Sequence, residues 1–96
     1  MPKAYWVAHV SVEHPDPYAI YAKGATEAFQ KYGGRPLVRG GRTITLEGNE
    51  RPRNVVIEFE SVEAALGCYN SPEYQAAKEH RVGHAQADLM IIEGAV

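Results

Sequence analysis

The sequence is short of the residues that build disulfide frameworks, zinc clusters and polyanion-binding surfaces. Its 96 residues include one cysteine, Cys68, which excludes both an intramolecular disulfide and a zinc cluster of several cysteines. Ten lysines and arginines against twelve acidic residues give a formal net charge of −2, whereas nucleic-acid-binding domains are normally basic. We therefore expect no nucleic-acid partner.

Long apolar runs are also missing. No segment approaches the ~20 consecutive apolar residues of a membrane span. The opening residues MPKAYWVAHVSV alternate and do not form the apolar core of a secretory signal. These features predict a cytoplasmic protein with no membrane partner. The length and the 45% hydrophobic content are typical of one globular domain over residues 1–96.

The first part of the chain predicts a strand followed by a helix. Residues 4–12 are rich in aromatic and β-branched side chains and are apolar on both faces, which is typical of a central strand. In the next segment Asp16 is expected to cap a helix whose first position is Pro17. Gly33 is expected to end that helix in a left-handed conformation, and the interior Gly24 indicates close packing against the sheet.

The second part predicts three more strands and a two-piece helix. One strand is expected in two segments, 36–39 and 42–47, with Gly40-Gly41 as a bend or bulge between them, and a second central strand is expected at 54–60. Ser61 and Ser71 each precede a helical pattern as N-cap residues, and Pro72 fits the first position of the second piece. A last strand is expected within residues 87–96.

The order of these elements, βαββαβ, predicts an α+β, ferredoxin-like sandwich. In that fold a four-stranded antiparallel sheet carries its helices on one face. The opposite face of the central strands would expose apolar side chains, and a large exposed apolar face marks an interaction site. We therefore expect a homodimer in which two sheets face each other, a dimeric α/β barrel.

Three stretches carry a family resemblance: GGRPLVRGG (33–41), NVVIEFESVEAALGCYNSPEYQAAKEHR (54–81) and ADLMIIEG (87–94). Together they resemble domain-of-unknown-function family 1330, a family of small, mostly bacterial proteins in the dimeric α/β-barrel superfamily. That superfamily includes cofactor-independent monooxygenases, haem-degrading enzymes and lactone isomerases. A shared fold does not transmit any of these activities.

His9 is the strongest candidate for a general base, because imidazole titrates near neutral pH and the residue lies on the first central strand. A histidine that is simply hydrogen-bonded in the core or at an interface is the commoner case. His80 and His84 are four residues apart, but Gly83 separates them and a third ligand is not evident. We expect no metal and no cofactor.

Charged residues in the second and third strands are the other candidates. Regular alternation places Arg35 and Arg39 on one side of their strand, where they could clamp a carboxylate or pair with acidic neighbours. Glu58, inside a central strand, needs a partner, and a buried Glu58–Arg39 pair is expected to serve either ligand binding or dimer register. Tyr5, Tyr74 and Arg81 are candidate ligand contacts, although packing alone explains Tyr74.

Three functions remain open at this point. One is binding of a small anionic or aromatic organic ligand in a cleft between helices and sheet. Another is a cofactor-independent monooxygenase-like or isomerase-like activity in the same cleft, with His9, Arg39 and Glu58 as catalytic residues. The third is a non-catalytic accessory subunit. A preformed cavity of at least about 300 Å³ with convergent polar groups would favour a ligand site, and a cleft filled by side chains would favour the accessory subunit.

Overall fold

The structure is a computed structural model that describes residues 2–95, so Met1 and Val96, at the two ends of the predicted domain, lie outside the described residues. The strands are β1 (Ala4–Val12), β2 (Arg35–Arg39), β3 (Arg53–Phe59) and β4 (Ala85–Glu93), and the helices are α1 (Pro15–Lys31), α2 (Val62–Tyr69) and α3 (Pro72–Glu79). The strands form one antiparallel sheet in the order β2-β3-β1-β4. The predicted ferredoxin-like order, the two central strands and the two-piece second helix are confirmed.

The helices cover one side of the sheet and build the core there. Trp6 lies at its centre, in edge-to-face contact with Phe29 and Tyr74 at ring-centroid distances of 5.0 and 4.9 Å. Ile57 and Phe59 reach the same core from β3. We call the uncovered side of the sheet the open face. Alternation along each strand decides which residues point to which side.

Two serines begin α2 and α3 as predicted. The Ser61 hydroxyl accepts a hydrogen bond from the Ala64 amide at 3.0 Å, and the Ser71 hydroxyl accepts one from the Tyr74 amide at 3.1 Å. Ser71 also donates to the Cys68 carbonyl at 2.6 Å and thereby ties the end of α2 to the start of α3. These bonds satisfy backbone groups that a helix end leaves free.

The predicted start of α1, with Asp16 as the cap and Pro17 in the first position, was wrong by two residues. The helix begins at Pro15, with His14 in the N-cap position, and Asp16 lies inside the first turn. Two prolines fit that turn because its amides have no intrahelical acceptor to lose. Gly24 does allow a close approach, but to α3 and not to the sheet, since a Cβ placed there would lie 2.9 Å from the Ala77 Cβ.

The predicted strand at 42–47 is absent. Residues 41–52, which we call the arm, connect β2 to β3 without regular secondary structure. Ile44 and Leu46 in the arm are 68% and 88% exposed. A strand needs a neighbour for its backbone groups, and the described chain offers none to this segment.

None of the helices within residues 2–95 combines the length and the apolar composition needed to cross a membrane.

Candidate functional site

A cavity of about 70 Å³ lies between α1 and the helix-covered side of the sheet. Its floor comes from β1 and β3, one wall from α1, and its rim from β2. The lining side chains are mostly aromatic or small and apolar: Trp6, Ala8, Val10, Tyr18, Tyr21, Ala22, Ala25, Thr26, Phe29, Gln30, Gly34, Pro36, Arg39, Arg53, Val55 and Ile57.

Two arginines from adjacent strands reach this cavity. Arg39 pairs with Val55 across the β2–β3 ladder, and Arg53 lies two residues before Val55 on the same face. The ladder carries a bulge between Pro36 and Val38, which changes the alternation and turns Arg39 towards the helices. Arg39 is exposed at the rim, whereas Arg53 is half-buried.

Arg53 lacks a counter-charge in its cavity. Its guanidinium carbon lies 5.8 Å from the centroid of the Tyr18 ring, and its Nε is buried without a hydrogen-bond partner. No carboxylate is found among the described residues that line the cavity. Burying a cationic donor without an acceptor costs free energy, so an anion in this cavity would supply what the protein does not.

Gly40 makes room for that guanidinium. A Cβ at Gly40 would lie 2.7 Å from an Arg53 terminal nitrogen, and the Gly40 backbone has a φ of +72°, which side-chain-bearing residues rarely adopt. Any side chain at this position of the β2–β3 connection would therefore collide with Arg53. The glycine bend predicted at 40–41 therefore has a role at the cavity as well as in the turn.

A polar cluster of Tyr21, Tyr74 and Arg81 lies against one wall. The hydroxyls of Tyr21 and Tyr74 are 2.9 Å apart, and the Arg81 guanidinium lies 5.2 Å from the centroid of the Tyr21 ring. Burial raises the pKa of Tyr21 far above its usual range, and the nearby Tyr74 adds to the effect. Burial likewise raises the pKa of Tyr74. Both phenols are therefore protonated at neutral pH and can donate hydrogen bonds but not act as bases.

The six residues singled out from the sequence fall into two groups on opposite sides of the sheet. Arg39 lines the cavity, and Tyr74 and Arg81 lie behind its wall. The open face carries Tyr5, His9 and Glu58 instead. The expectation of one cleft shared by all of these residues was wrong, because the sheet separates them.

The expected Glu58–Arg39 pair was also wrong. Glu58 is opposite Arg35 in the β2–β3 register, and both residues lie on the open face, whereas the bulge sends Arg39 to the other side. The Glu58 carboxylate accepts a hydrogen bond from the Tyr5 hydroxyl at 3.4 Å. His9 is exposed on the same face, with its Nδ1 2.5 Å from the Asn54 Oδ1.

Sequence reasoning missed the cavity residues Arg53, Tyr18 and Tyr21 as a site. The signal for Arg53 was present, because regular alternation along β3 puts it on the same face as Val55, Ile57 and Phe59. Tyr18 and Tyr21 recur at helical spacing in α1, which predicts packing and not a site. Their hydroxyls and ring faces become informative once the arginine is placed beside them.

Several solved structures share this fold at low sequence identity. RPA0582 of Rhodopseudomonas palustris, a protein of unknown function, matches with a TM-score of 0.79 and 20% identity over 99% of this chain and 84% of that chain. SnoaB of Streptomyces nogalater, described as a cofactor-independent oxygenase, matches with a TM-score of 0.59 and 11% identity over 100% of this chain and 96% of that chain. A dimeric ferredoxin-like protein of unknown function from Jannaschia sp. CCS1 gives a TM-score of 0.64 and 12% identity over 98% and 99% of the two chains.

At these identities the likeness concerns the fold alone, and it confirms the ferredoxin-like architecture. No curated protein matches the chain. The family described as "Domain of unknown function (DUF1330)" matches residues 3–95, so the resemblance seen in the sequence is confirmed and the chain belongs to that family.

Proposed function

We propose that this protein binds a small organic anion in the cavity between α1 and the sheet. The observation that carries the proposal is Arg53, a half-buried cation whose Nε has no hydrogen-bond partner in a cavity with no lining carboxylate. A carboxylate or similar anion would accept from Arg53, and Arg39 at the rim would add a second cationic donor. A hydrogen bond to a charged group contributes about 1.5–3 kcal/mol, which is enough to select an anion over a neutral molecule.

The rest of the cavity suits an apolar or aromatic body. Trp6, Tyr18, Tyr21 and Phe29 present ring faces and edges around the space in front of Arg53. Such walls favour an apolar ligand body, because removing apolar surface from water is favourable and aromatic rings pack well against one another. An anionic head with a short hydrocarbon body matches both parts of the lining.

The volume limits the size of the ligand. A cavity of about 70 Å³ lies below the ~300 Å³ at which drug-sized sites begin. At about 10–15 Å³ for each water-sized position it holds about five to seven non-hydrogen atoms. Propionate, with about five such atoms, fits this limit. A larger ligand would have to extend past Arg39 towards the surface. Failure of every small anion to bind would count towards an accessory, non-catalytic subunit.

Binding is favoured over catalysis by the residues that the cavity lacks. SnoaB is described as a cofactor-independent oxygenase, but the described lining of this cavity contains no histidine, cysteine, aspartate or glutamate that could act as a base. The candidates His9 and Glu58 lie across the sheet. Cys68 is buried in the core, and burial raises the pKa of its thiol to about 11. Turnover of a bound anion with oxygen is the outcome that would favour the enzymatic alternative.

The proposal includes a homodimer formed through the open face. Met90 and Ile92 on that face are each 52% exposed, and Val7 and Val56 lie beside them on the central strands. Apolar surface of this kind is typical of a subunit interface. Two neighbours, from Jannaschia sp. CCS1 and Bacteroides fragilis, are described as dimeric, which supports the same assembly here. We also take the protein to be cytoplasmic, where its single cysteine needs no disulfide partner.

A thermal-shift comparison of an anion with its neutral isostere tests the binding proposal. Propionate is compared with propionamide at constant ionic strength. A ligand of about five atoms at about 0.3–1.5 kcal/mol per atom gains about 1.5–7.5 kcal/mol, and the middle of that range, about 4 kcal/mol, corresponds to a millimolar Kd. At ten times Kd it stabilises the fold by about 1.4 kcal/mol, or roughly 6–11 °C in a domain of this size.

Two arginine variants make the comparison specific. Arg53→Met should abolish the shift given by the anion, and Arg42→Met, an exposed arginine of the arm, should retain it. Each variant is compared with its own ligand-free Tm. Equal shifts for propionate and propionamide, or an undiminished anion shift in Arg53→Met, would contradict the proposal.

A further inference from the structure

The arm carries the sequence pattern of a β-strand without the pairing of one. Residues 43–46, Thr-Ile-Thr-Leu, alternate β-branched and apolar side chains, which suit a pleated and half-covered surface. Nevertheless Ile44 and Leu46 are 68% and 88% exposed. Two large apolar side chains on neighbouring positions of one segment form a concentrated apolar surface, unlike the scattered apolar residues of an ordinary surface.

The backbone of the arm also lacks hydrogen-bond partners within the described chain. Within residues 2–95, no backbone-to-backbone hydrogen bond involves residues 41–52, and the β2–β3 ladder ends with the Gly40 amide donating to the Asn54 carbonyl at 2.9 Å. A segment with strand composition and free amides is ready to dock on another surface.

The base of the arm is fixed to the open face. The Asn54 side-chain amide donates to the Thr43 hydroxyl at 3.2 Å, and Arg51 donates to the Asp88 carboxylate at 2.8 Å and to the Ser11 hydroxyl at 3.1 Å. These bonds tie the arm to β1, β3 and β4 on the side away from the helices. A groove of about 520 Å³ lies between the arm and the ends of those strands.

We propose that the arm of each protomer packs on the open face of a second copy of this chain, with Ile44 and Leu46 against Met90 and Ile92 of the partner subunit. This inference rests on the homodimer proposed above and adds the element that completes it. The occupant is a second copy because the arm starts at the edge of the very face through which the copies meet. The same face offers exposed apolar side chains on β4 that no residue between positions 2 and 95 covers.

The register of the sheet fixes how the two copies must be related. The arm is attached beside Ser11 and Asp88, whereas Met90 and Ile92 lie towards the other end of β4, opposite Val7 and Tyr5. Consider a two-fold axis that lies in the interface and runs perpendicular to the strands. It places the arm-bearing end of one sheet over the opposite end of the partner's sheet. Each arm then contacts the apolar end of the opposite sheet, and both contacts are identical, as a two-fold interface requires.

Sedimentation equilibrium of arm and open-face variants tests the inference. The double variant Ile44→Glu, Leu46→Glu is expected to raise the dimer Kd by about 100-fold, since two apolar side chains remain exposed and two charges are added. Val82→Glu is the matched control, because Val82 is 60% exposed in the turn after α3 on the helix side. It should leave the dimer Kd unchanged. Met90→Arg should dissociate the dimer.

The outcomes separate this inference from the homodimer itself. If Met90→Arg dissociates the dimer and the arm variant does not, the open-face dimer stands and the role of the arm is refuted. If the wild-type protein is a monomer, or if Met90→Arg leaves the dimer intact, both the dimer and the arm contact are refuted.

Mixing two variants that each carry one added cysteine gives a direct readout of the contact. Leu46→Cys and Met90→Cys proteins, mixed and oxidised, should form a disulfide-linked heterodimer, whereas Leu46→Cys mixed with Val82→Cys should not. Native Cys68 is buried in the core and is present in every sample. Equal cross-linking in the two mixtures would overturn the proposed contact.

Discussion

Gly24→Ala probes the closest approach between α1 and α3. A Cβ at Gly24 would lie 2.9 Å from the Cβ of Ala77 and 3.6 Å from its Cα, whereas optimal carbon–carbon contacts are about 3.5–4.0 Å. The helices would have to separate by roughly 0.6–1 Å to accept the methyl group. The neighbouring Lys31–Glu73 ion pair and the hydrogen bond from Tyr32 to Glu73 also hold these helices together.

Gly67→Ala supplies the matched control. Gly67 is an exposed interior position of α2, and nothing lies within 4 Å of a Cβ built there. Alanine should stabilise that helix by about 1 kcal/mol, which is the intrinsic preference of alanine over glycine. Gly24→Ala gains the same preference but pays for overpacking, which costs about 1–3 kcal/mol. We therefore expect Gly24→Ala to be less stable than Gly67→Ala by about 1–3 kcal/mol.

Urea unfolding at one fixed protomer concentration measures this difference. The paired variant Gly24→Ala, Ala77→Gly should recover stability relative to Gly24→Ala, because it removes the methyl group that the new one meets. In thermal unfolding, each kcal/mol corresponds to about 4–8 °C for a domain of this size. Equal stability of Gly24→Ala and Gly67→Ala would show that the two helices are not in the tight contact described above.

Three further predictions concern pH and capping. The hydrogen bond from Lys31 lowers the pKa of Glu73 to about 2, below the ~4.3 of an unfolded glutamate. Its stabilising effect is therefore complete above about pH 4.3 and is lost as the pH falls through about 2. Glu73→Gln should be less stable than wild type at neutral pH, and chemical denaturation should show this difference shrinking towards zero as the pH falls to about 2 and below. Burial raises the pKa of Tyr21, so the wild-type protein should lose stability as the pH rises above ~10, the pKa of an unfolded tyrosine. Tyr21→Phe should lose less stability over the same pH range. Phenolate absorbance of the folded protein should show that Tyr21 and Tyr74 are still protonated there. Ser71→Ala removes a buried cap and should cost about 1–2 kcal/mol in urea unfolding, while an unchanged midpoint would contradict the capping role.

The fold was accessible from the sequence because its signals are local and agree with one another. Ser61 and Ser71 each stand before a helical pattern, and the strand at 4–12 has the composition of a central strand. Local composition could not decide the fate of residues 42–47, because a strand depends on a neighbour that is distant in sequence. The strand pattern there was real, but no part of the described chain pairs with it.

The site was harder to predict because it depends on one irregularity. Regular alternation put Arg39 with Arg35, and the bulge between Pro36 and Val38 reversed that assignment. The same reversal separated Arg39 from Glu58 and brought it to the side of Arg53. That Arg53 lacks a partner is a three-dimensional property, since the sequence contains more acidic than basic residues and gives no sign that none of the acids lines this cavity.

The central claim, an anion held by Arg53 in the cavity, can be tested through the protein's single tryptophan. Trp6 lines the cavity, is 1% exposed and is the only indole in the chain, so its emission reports on occupancy of that space. Titration with propionate should change Trp6 fluorescence saturably in the wild-type protein, with a millimolar Kd. Propionamide should give no such change, and neither should propionate added to Arg53→Met. A flat response of the wild-type protein to propionate, or the same saturable response in Arg53→Met, would contradict the account.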